Sequence, residues 1–104
     1  MIVEIRTYTI RPGKMPAYLK LVESIGLPLQ RQHLQKLIGL FVSEVGPLNE
    51  VTQVWGFDDE ETRRTCRASL LQDGEFRMFM DEAMPMVTQQ KSSLVRPAAF
   101  APIG

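Results

Sequence analysis

The sequence predicts an α+β domain with helices packed against one face of a four-stranded antiparallel sheet. Three observations predict it. A β-hairpin pattern fills the middle of the chain, from Leu37 to Phe57. A strand pattern opens the chain at Ile2, and a shorter one closes it at Lys91. Between them lie stretches whose apolar residues recur at helical spacing. The hairpin strands are apolar on both faces, whereas a sheet with one wet face alternates cleanly. Each side must therefore be covered, one by helices of this chain and the other by a second copy of it.

The elements follow in order. Ile2 to Ile10 is a strand, with Ile2, Glu4, Arg6, Tyr8 and Ile10 on one face and Val3, Ile5, Thr7 and Thr9 on the other. Arg11-Pro12-Gly13 turns the chain. Lys14 to Ser24 reads as helix, because Met15, Tyr18, Leu19 and Val22 build one apolar stripe. Gly26 and Pro28 interrupt it, and a second helical piece from Leu29 to Lys36 leads to the hairpin. The hairpin runs Leu37–Val45, Gly46-Pro47-Leu48-Asn49, Glu50–Phe57. Pro47 presets φ, and Asn49 tolerates unusual backbone angles. Counting by twos places Ile38, Leu40 and Val42 on one face and Leu37, Phe41 and Val45 on the other. Asp58 is the expected N-cap of a helix to Leu71, with Glu61 completing a capping-box-like pattern. Asp73-Gly74 breaks that helix, Glu75 to Ala83 resumes it, and Pro85 starts or kinks a last piece. Lys91 to Arg96 is the final strand, followed by an extended tail from Pro97 to Pro102.

The order is β-α-β-β-α-β, the ferredoxin-like arrangement. Two such sheets packed face to face give a dimeric α/β barrel, a homodimer through the open sheet face. A chain of 104 residues is read as a single domain, 1–104, large enough to bury a core without disulfides or metals.

Composition narrows the function classes. Twelve basic residues balance twelve acidic ones, so no basic footprint for nucleic acid is expected. Arg63, Arg64 and Arg67 follow Asp58, Asp59, Glu60 and Glu61, and read as a solvated helix face. Cys66 is the only cysteine, so no intramolecular disulfide forms, and a reducing compartment, the cytoplasm, is expected. The sequence has no run of ~18 apolar residues and no signal or transit pattern, so no membrane span is expected.

Several motifs together resemble one family. Glu4-Ile5-Arg6-Thr7-Tyr8 followed by Arg11-Pro12-Gly13 is similar to the opening of NIPSNAP-type domains. Leu27-Pro28-Leu29, then Gly46-Pro47-Leu48-Asn49 with Val54-Trp55 and Asp58, and the late Arg96-Pro97 match the same pattern. The resemblance covers essentially the whole chain and implies a ferredoxin-like fold and a dimeric α/β barrel. The family's biochemical activity is poorly defined, so the resemblance supplies little chemistry. Larger animal members are associated with mitochondria and vesicle traffic; a short, untargeted chain looks more like a bacterial member.

Five residues are candidates for a pocket. Arg6 and Tyr8 share a strand face, where a guanidinium and a phenol can grip a carboxylate or enolate-like oxygen. Their alternative is a structural pair, with Arg6 bridging to Glu4 or Glu44. His33, the only histidine, suits general-base work at neutral pH or a hydrogen-bonded place beside Arg31 and Gln32; haem ligation is a remoter reading. Gln53 and Trp55 share a face, where an amide among Val51, Trp55 and Phe57 is either a polar handle in an apolar pocket or a cross-strand hydrogen bond. Cys66 reads as a structural helix residue, and Met78, Met80, Met84 and Met86 as adaptable filler. No ligand spacing for a metal and no G-x-G-x-x-G or G-x-S-x-G occurs, so no metal or cofactor is expected. Two functions remain: a homodimeric small-ligand- or partner-binding protein, or a cofactor-independent monooxygenase or isomerase-type enzyme. The enzyme would act on a small aromatic or polyketide-like substrate between sheet and helices, with Arg6 or His33 polarising or deprotonating it and Trp55, Tyr8 and Phe79 lining the site. A purely structural interaction module would offer a long apolar groove instead.

Overall fold

The computed structural model describes residues 1–103. Strand β1 (Ile2–Ile10) has the expected bounds. Helix α1 (Met15–Leu21) passes through a π-helical turn at Val22–Gly26 directly into α2 (Leu27–His33). The interruption expected at Gly26 and Pro28 is thus a change of helical pitch. The Leu27 N–H donates back five residues to the Val22 carbonyl. The widened turn accommodates Pro28, which has no N–H to give. Leu34 is extended (φ −90°, ψ 160°) and ends α2 earlier than the expected Lys36.

Strands β2 (Lys36–Val42) and β3 (Glu50–Phe57) form the hairpin, with β2 three residues shorter at its end than the expected Val45. A loop takes the difference. Gly46 (φ +111°) and Asn49 (φ +62°) supply its left-handed corners, and the Asn49 carbonyl accepts from the Ile10 N–H at 2.7 Å. Both angles are ones that bulky residues avoid.

The strand order is β2-β3-β1-β4, and all neighbours are antiparallel. This is the split βαβ order expected from the sequence. A register shift between Leu37 and Gly39 corrects the face assignment of β2. Leu37 pairs with Trp55, Leu40 with Gln53 and Val42 with Val51, so these three share the helix side. Phe41 pairs with Thr52 on the open side. Counting by twos assumes that no residue is inserted, and a bulge inserts one.

Helix α3 (Glu60–Gln72) is capped by Asp59, not by the expected Asp58: Asp59 Oδ1 accepts from the Thr62 N–H at 2.7 Å. Asp58 is engaged by Gln35, whose amide donates to Oδ2 at 2.7 Å and accepts from the Asp58 N–H at 2.8 Å. Asp73 caps α4 (Gly74–Ala83) through the N–H groups of Glu75 and Phe76. A 3-10 turn at Met84–Met86 leads into β4 (Val87–Val95). That strand starts at Val87 rather than Lys91. It is an edge strand, and the polar run from Thr88 to Gln90 hides the alternation that a half-buried strand would display.

The helices cover one face of the sheet. Ile10, Val51, Trp55 and Phe57 from the strands meet Tyr18, Leu70 and Phe79 from the helices in one core. The Phe79 ring lies flat on Gly26, where a Cβ would overlap it. Gly26→Ala is therefore expected to cost about 1–3 kcal/mol through overpacking. The urea midpoint reads this directly, and an unchanged midpoint would mean the ring moves aside freely. The opposite face of the sheet is left open. It carries Ile5, Val54, Ile38, an exposed Phe41 (56% accessible) and Val95. The Phe41 ring folds over Gly39 on that face.

Candidate functional site

Glu4 sits on the helix side of β1 with no solvent exposure. A carboxylate buried on the strand face that also carries Ile2, Tyr8 and Ile10 is tolerable only with charged partners. Three guanidinium groups supply them. Arg63 donates to Glu4 Oε2 from Nη2 at 2.7 Å and from Nε at 3.2 Å. Arg6 reaches the same oxygen from Nη1 at 3.3 Å. Arg67 Nη1 stands 3.6 Å from Glu4 Oε1, which accepts no hydrogen bond. Arg63 and Arg67 are one turn apart on α3, so both reach the same side. The expected solvated face is thereby corrected: Arg64 is exposed (70% accessible), but Arg63 and Arg67 turn inward to Glu4.

Arg63 is also held by Glu60, at 3.0 Å. Arg6 donates from Nε to the Tyr8 hydroxyl at 2.8 Å. Burial alone would lower the Arg6 pKa, but Tyr8 and Glu4 outweigh it and raise it. Arg67 goes the other way. Burial and the nearby Arg6 charge lower its pKa, against a smaller opposing pull from Glu4. Among the described residues no hydrogen bond satisfies its guanidinium.

Beside this cluster lies a cavity of about 70 Å³ between sheet and helices. Arg6, Tyr8 and Gln53 line it from the sheet, Tyr18 and Gln30 from α1 and α2, and Arg67 from α3. Phe76, Phe79, Met80 and Met84 make an apolar wall, and the exposed Gln90 of β4 stands at its rim. Burial, reinforced by Tyr8 and opposed by Arg6, pushes the Tyr18 phenol far above its usual range, so it stays a neutral donor. Gln53 Oε1 accepts from Trp55 Nε1 at 2.9 Å and from Gln30 Nε2 at 3.1 Å.

The five sequence candidates divide. Arg6, Tyr8 and Gln53 come together in the cavity wall, and the buried Trp55 stands behind Gln53 and fixes its amide. Arg6 and Tyr8 are at once the structural pair and cavity-lining groups. His33 lies elsewhere, at the end of α2, with Nδ1 2.7 Å from Ser69 Oγ and Nε2 2.8 Å from Asp73 Oδ2. It latches α2 to α3 and to the cap of α4. The hydrogen bond from His33 is the main reason the Asp73 carboxyl lies below the usual carboxylate range. Cys66 is a half-buried residue of α3. No helix among the described residues is long and apolar enough to cross a membrane.

Sequence reasoning missed Arg67, Tyr18 and Gln30. Two signals were present for the first. Glu4 is the one acidic residue on the inward face of β1, and Arg63 and Arg67 are four apart on a helix. Tyr18 and Gln30 gave no signal beyond helical spacing.

A larger, shallower depression of about 460 Å³ lies against α1, the π turn and β2, lined by Pro16, Leu19, Val22, Leu27 and Leu40. Among the described residues its polar side chains are the exposed Lys20 and Glu23.

Comparison with known proteins agrees with this architecture. A solved NIPSNAP family protein from Agrobacterium tumefaciens is 38% identical, with a TM-score of 0.94, over 98% of this chain and 92% of its own. A NIPSNAP domain protein from Burkholderia xenovorans is 36% identical, with a TM-score of 0.93, over 99% and 100%. An antibiotic biosynthesis monooxygenase superposes with a TM-score of 0.68 over 94% and 99%, but at 11% identity it shares the fold alone. Protein NipSnap homolog 2 of Danio rerio is 27% identical over 98% of this chain, which spans 35% of that relative's length. The family model named NIPSNAP matches residues 3–102, and the chain belongs to the NIPSNAP family.

Proposed function

We propose that this protein binds a small molecule in the cavity between sheet and helices, as a homodimer joined through the open sheet faces. The observation that carries the reading is the cavity itself. Converging polar groups, Arg6, Tyr8, Tyr18, Gln53 and Arg67, meet an apolar wall of Phe76, Phe79 and Met80. Binding sites characteristically combine an apolar surface with a few placed polar groups. The dimer is supported by Ile5, Val54, Ile38 and Phe41 on a face that no helix among the described residues covers. Closing two such faces together gives the dimeric α/β barrel. A single domain over 1–104 in a bacterial cytoplasm fits the lone Cys66 and the bacterial sources of the solved relatives.

A fragment screen followed by amide NMR tests the pocket. Shifts are expected to cluster on the Gln30 and Gln53 side-chain amides and the Trp55 indole. Shifts confined to the depression beside α1, or no shifts from any fragment, would overturn the pocket. Light scattering at micromolar concentration tests the dimer. The wild type is expected to be dimeric and Phe41→Arg to move toward monomer; a monomeric wild type would overturn the interface.

The second reading is a cofactor-independent enzyme in the same cavity, with Arg6 polarising a substrate oxygen beside Tyr8. The juxtaposition of these two groups at 2.8 Å favours it, whereas His33 lies away from the cavity wall. Turnover of a bound ligand, against its unchanged recovery, separates the two readings.

A further inference from the structure

We propose that the ligand of this cavity is a short-chain organic carboxylate, anchored by Arg67. The inference rests on the pocket reading above and assigns its chemical class.

The charge count comes first. Among the described residues Arg6, Arg63 and Arg67 pair only with Glu4 and with Glu60, which Arg64 also approaches, so positive charge is left over beside the cavity. The three arginines are not equally served. Arg63 is committed to Glu4 and Glu60, and Arg6 to Glu4 and Tyr8. Arg67 has only the distant Glu4 Oε1 at 3.6 Å and makes no hydrogen bond among the described residues. It is half-buried, with 19% of its side chain accessible, and it lines the cavity. A partly desolvated guanidinium whose one carboxylate stands 3.6 Å away has donors left for a second anion.

The remaining donors fit an oxygen anion. Tyr8 already accepts from Arg6, so its own O–H is free to donate into the cavity. Tyr18 is a buried residue that lines the cavity, and its hydroxyl makes no hydrogen bond among the described residues. Gln53 spends its carbonyl oxygen on Trp55 and Gln30, which leaves its NH₂ group as a donor. Four donors from three directions therefore face one small space. A carboxylate presents two oxygens with about four acceptor positions.

The size and the far wall define the rest. A volume of about 70 Å³ is well below the roughly 300–1,000 Å³ of ordinary ligand pockets, so the ligand carries few carbons. Phe76, Phe79, Met80 and Met84 suit an alkyl tail rather than a second polar group. The two methionines can shift to admit a slightly longer one. An inorganic oxyanion would leave that apolar wall facing charge.

Trp55 is the only tryptophan and hydrogen-bonds the Gln53 oxygen, so its emission reports on the site. Propionate and butyrate are titrated into the wild type at constant ionic strength, with propionamide as the neutral analogue and inorganic phosphate as the bare anion. Saturable binding of the carboxylates is expected, at least about tenfold tighter than the amide, because a hydrogen bond to a charged group is lost with the charge. Arg67→Gln should remove that preference, Arg67→Lys should keep part of it, and Tyr18→Phe should weaken it. Circular dichroism verifies that each variant is folded. If Arg67→Gln does not fold, the amide comparison and Tyr18→Phe decide alone.

Equal binding of amide and carboxylate overturns the carboxylate class and leaves the pocket standing. So does binding of screened fragments in the cavity without binding of either carboxylate. Phosphate binding as tightly as propionate overturns the role of the apolar wall. If neither the carboxylates nor any fragment reaches the cavity, the inference and the pocket reading fall together.

Discussion

Glu4→Gln is expected to lower stability by about 3–5 kcal/mol, the usual consequence of removing one partner from a buried ionic cluster. Glu4 is fully buried, and its Oε2 accepts from both Arg6 and Arg63. The amide keeps the shape of the side chain but cancels the charge that all three guanidinium groups share. Arg63 still has Glu60, whereas Arg6 and Arg67 lose their carboxylate. The repulsion between those two, which already lowers the Arg67 pKa, then goes unopposed. Urea unfolding followed by circular dichroism measures the effect. Replacing the ion pair as a unit, Glu4→Leu with Arg63→Met, should cost less than the two single changes added together. A Glu4→Gln protein as stable as the wild type would mean that solvent reaches the cluster.

Trp55→Ala has a comparable expected cost, about 3–5 kcal/mol for a large-to-small change in a core. Trp55 is 1% accessible and sits on β3 at the centre of the helix-covered face. Its loss opens a cavity and also deprives Gln53 of one of two donors. Trp55→Phe separates these effects: it keeps most of the ring and loses only the hydrogen bond, so its cost should be intermediate. Circular dichroism is the required probe, since no tryptophan remains in either variant. A midpoint unchanged in Trp55→Ala would assign Trp55 to a binding surface instead of the core.

Much of this was legible in the sequence, for reasons that can be named. The bounds of β1 and β3 and the strand count followed from apolar runs and turn residues. Arg6, Tyr8 and Gln53 stood out because polar side chains on an apolar strand face are rare and demand partners. The helix residues of the site did not. Arg67 follows a run of acids on a helix, a pattern that water solvates as readily as a buried glutamate pairs it. Only the packing of α3 over β1 decides between them. The β2 bulge was missed for another reason: one inserted residue reverses every later face assignment, and its mark is Gly39, a glycine inside a strand pattern. Asp58 and Asp59 are equally good caps by composition, and Gln35 decides between them by taking Asp58.

The polar edge strand has a consequence for how this chain survives its own synthesis. A free strand edge is a template on which another chain can add, the first step toward aggregation. The outer strand β4 carries Thr88, Gln89, Gln90, Lys91, Ser92 and Ser93 in succession. Docking a like strand there would bring Lys91 close to its counterpart and strip water from a row of amides and hydroxyls. Growth by strand addition is thereby discouraged along that border, while the stickier apolar surface, with Ile5, Val54 and Phe41, lies on the open face of the sheet. Of the two borders of the sheet, the β4 border is the wet one, and the β2 border carries Leu37, Ile38, Leu40 and Phe41.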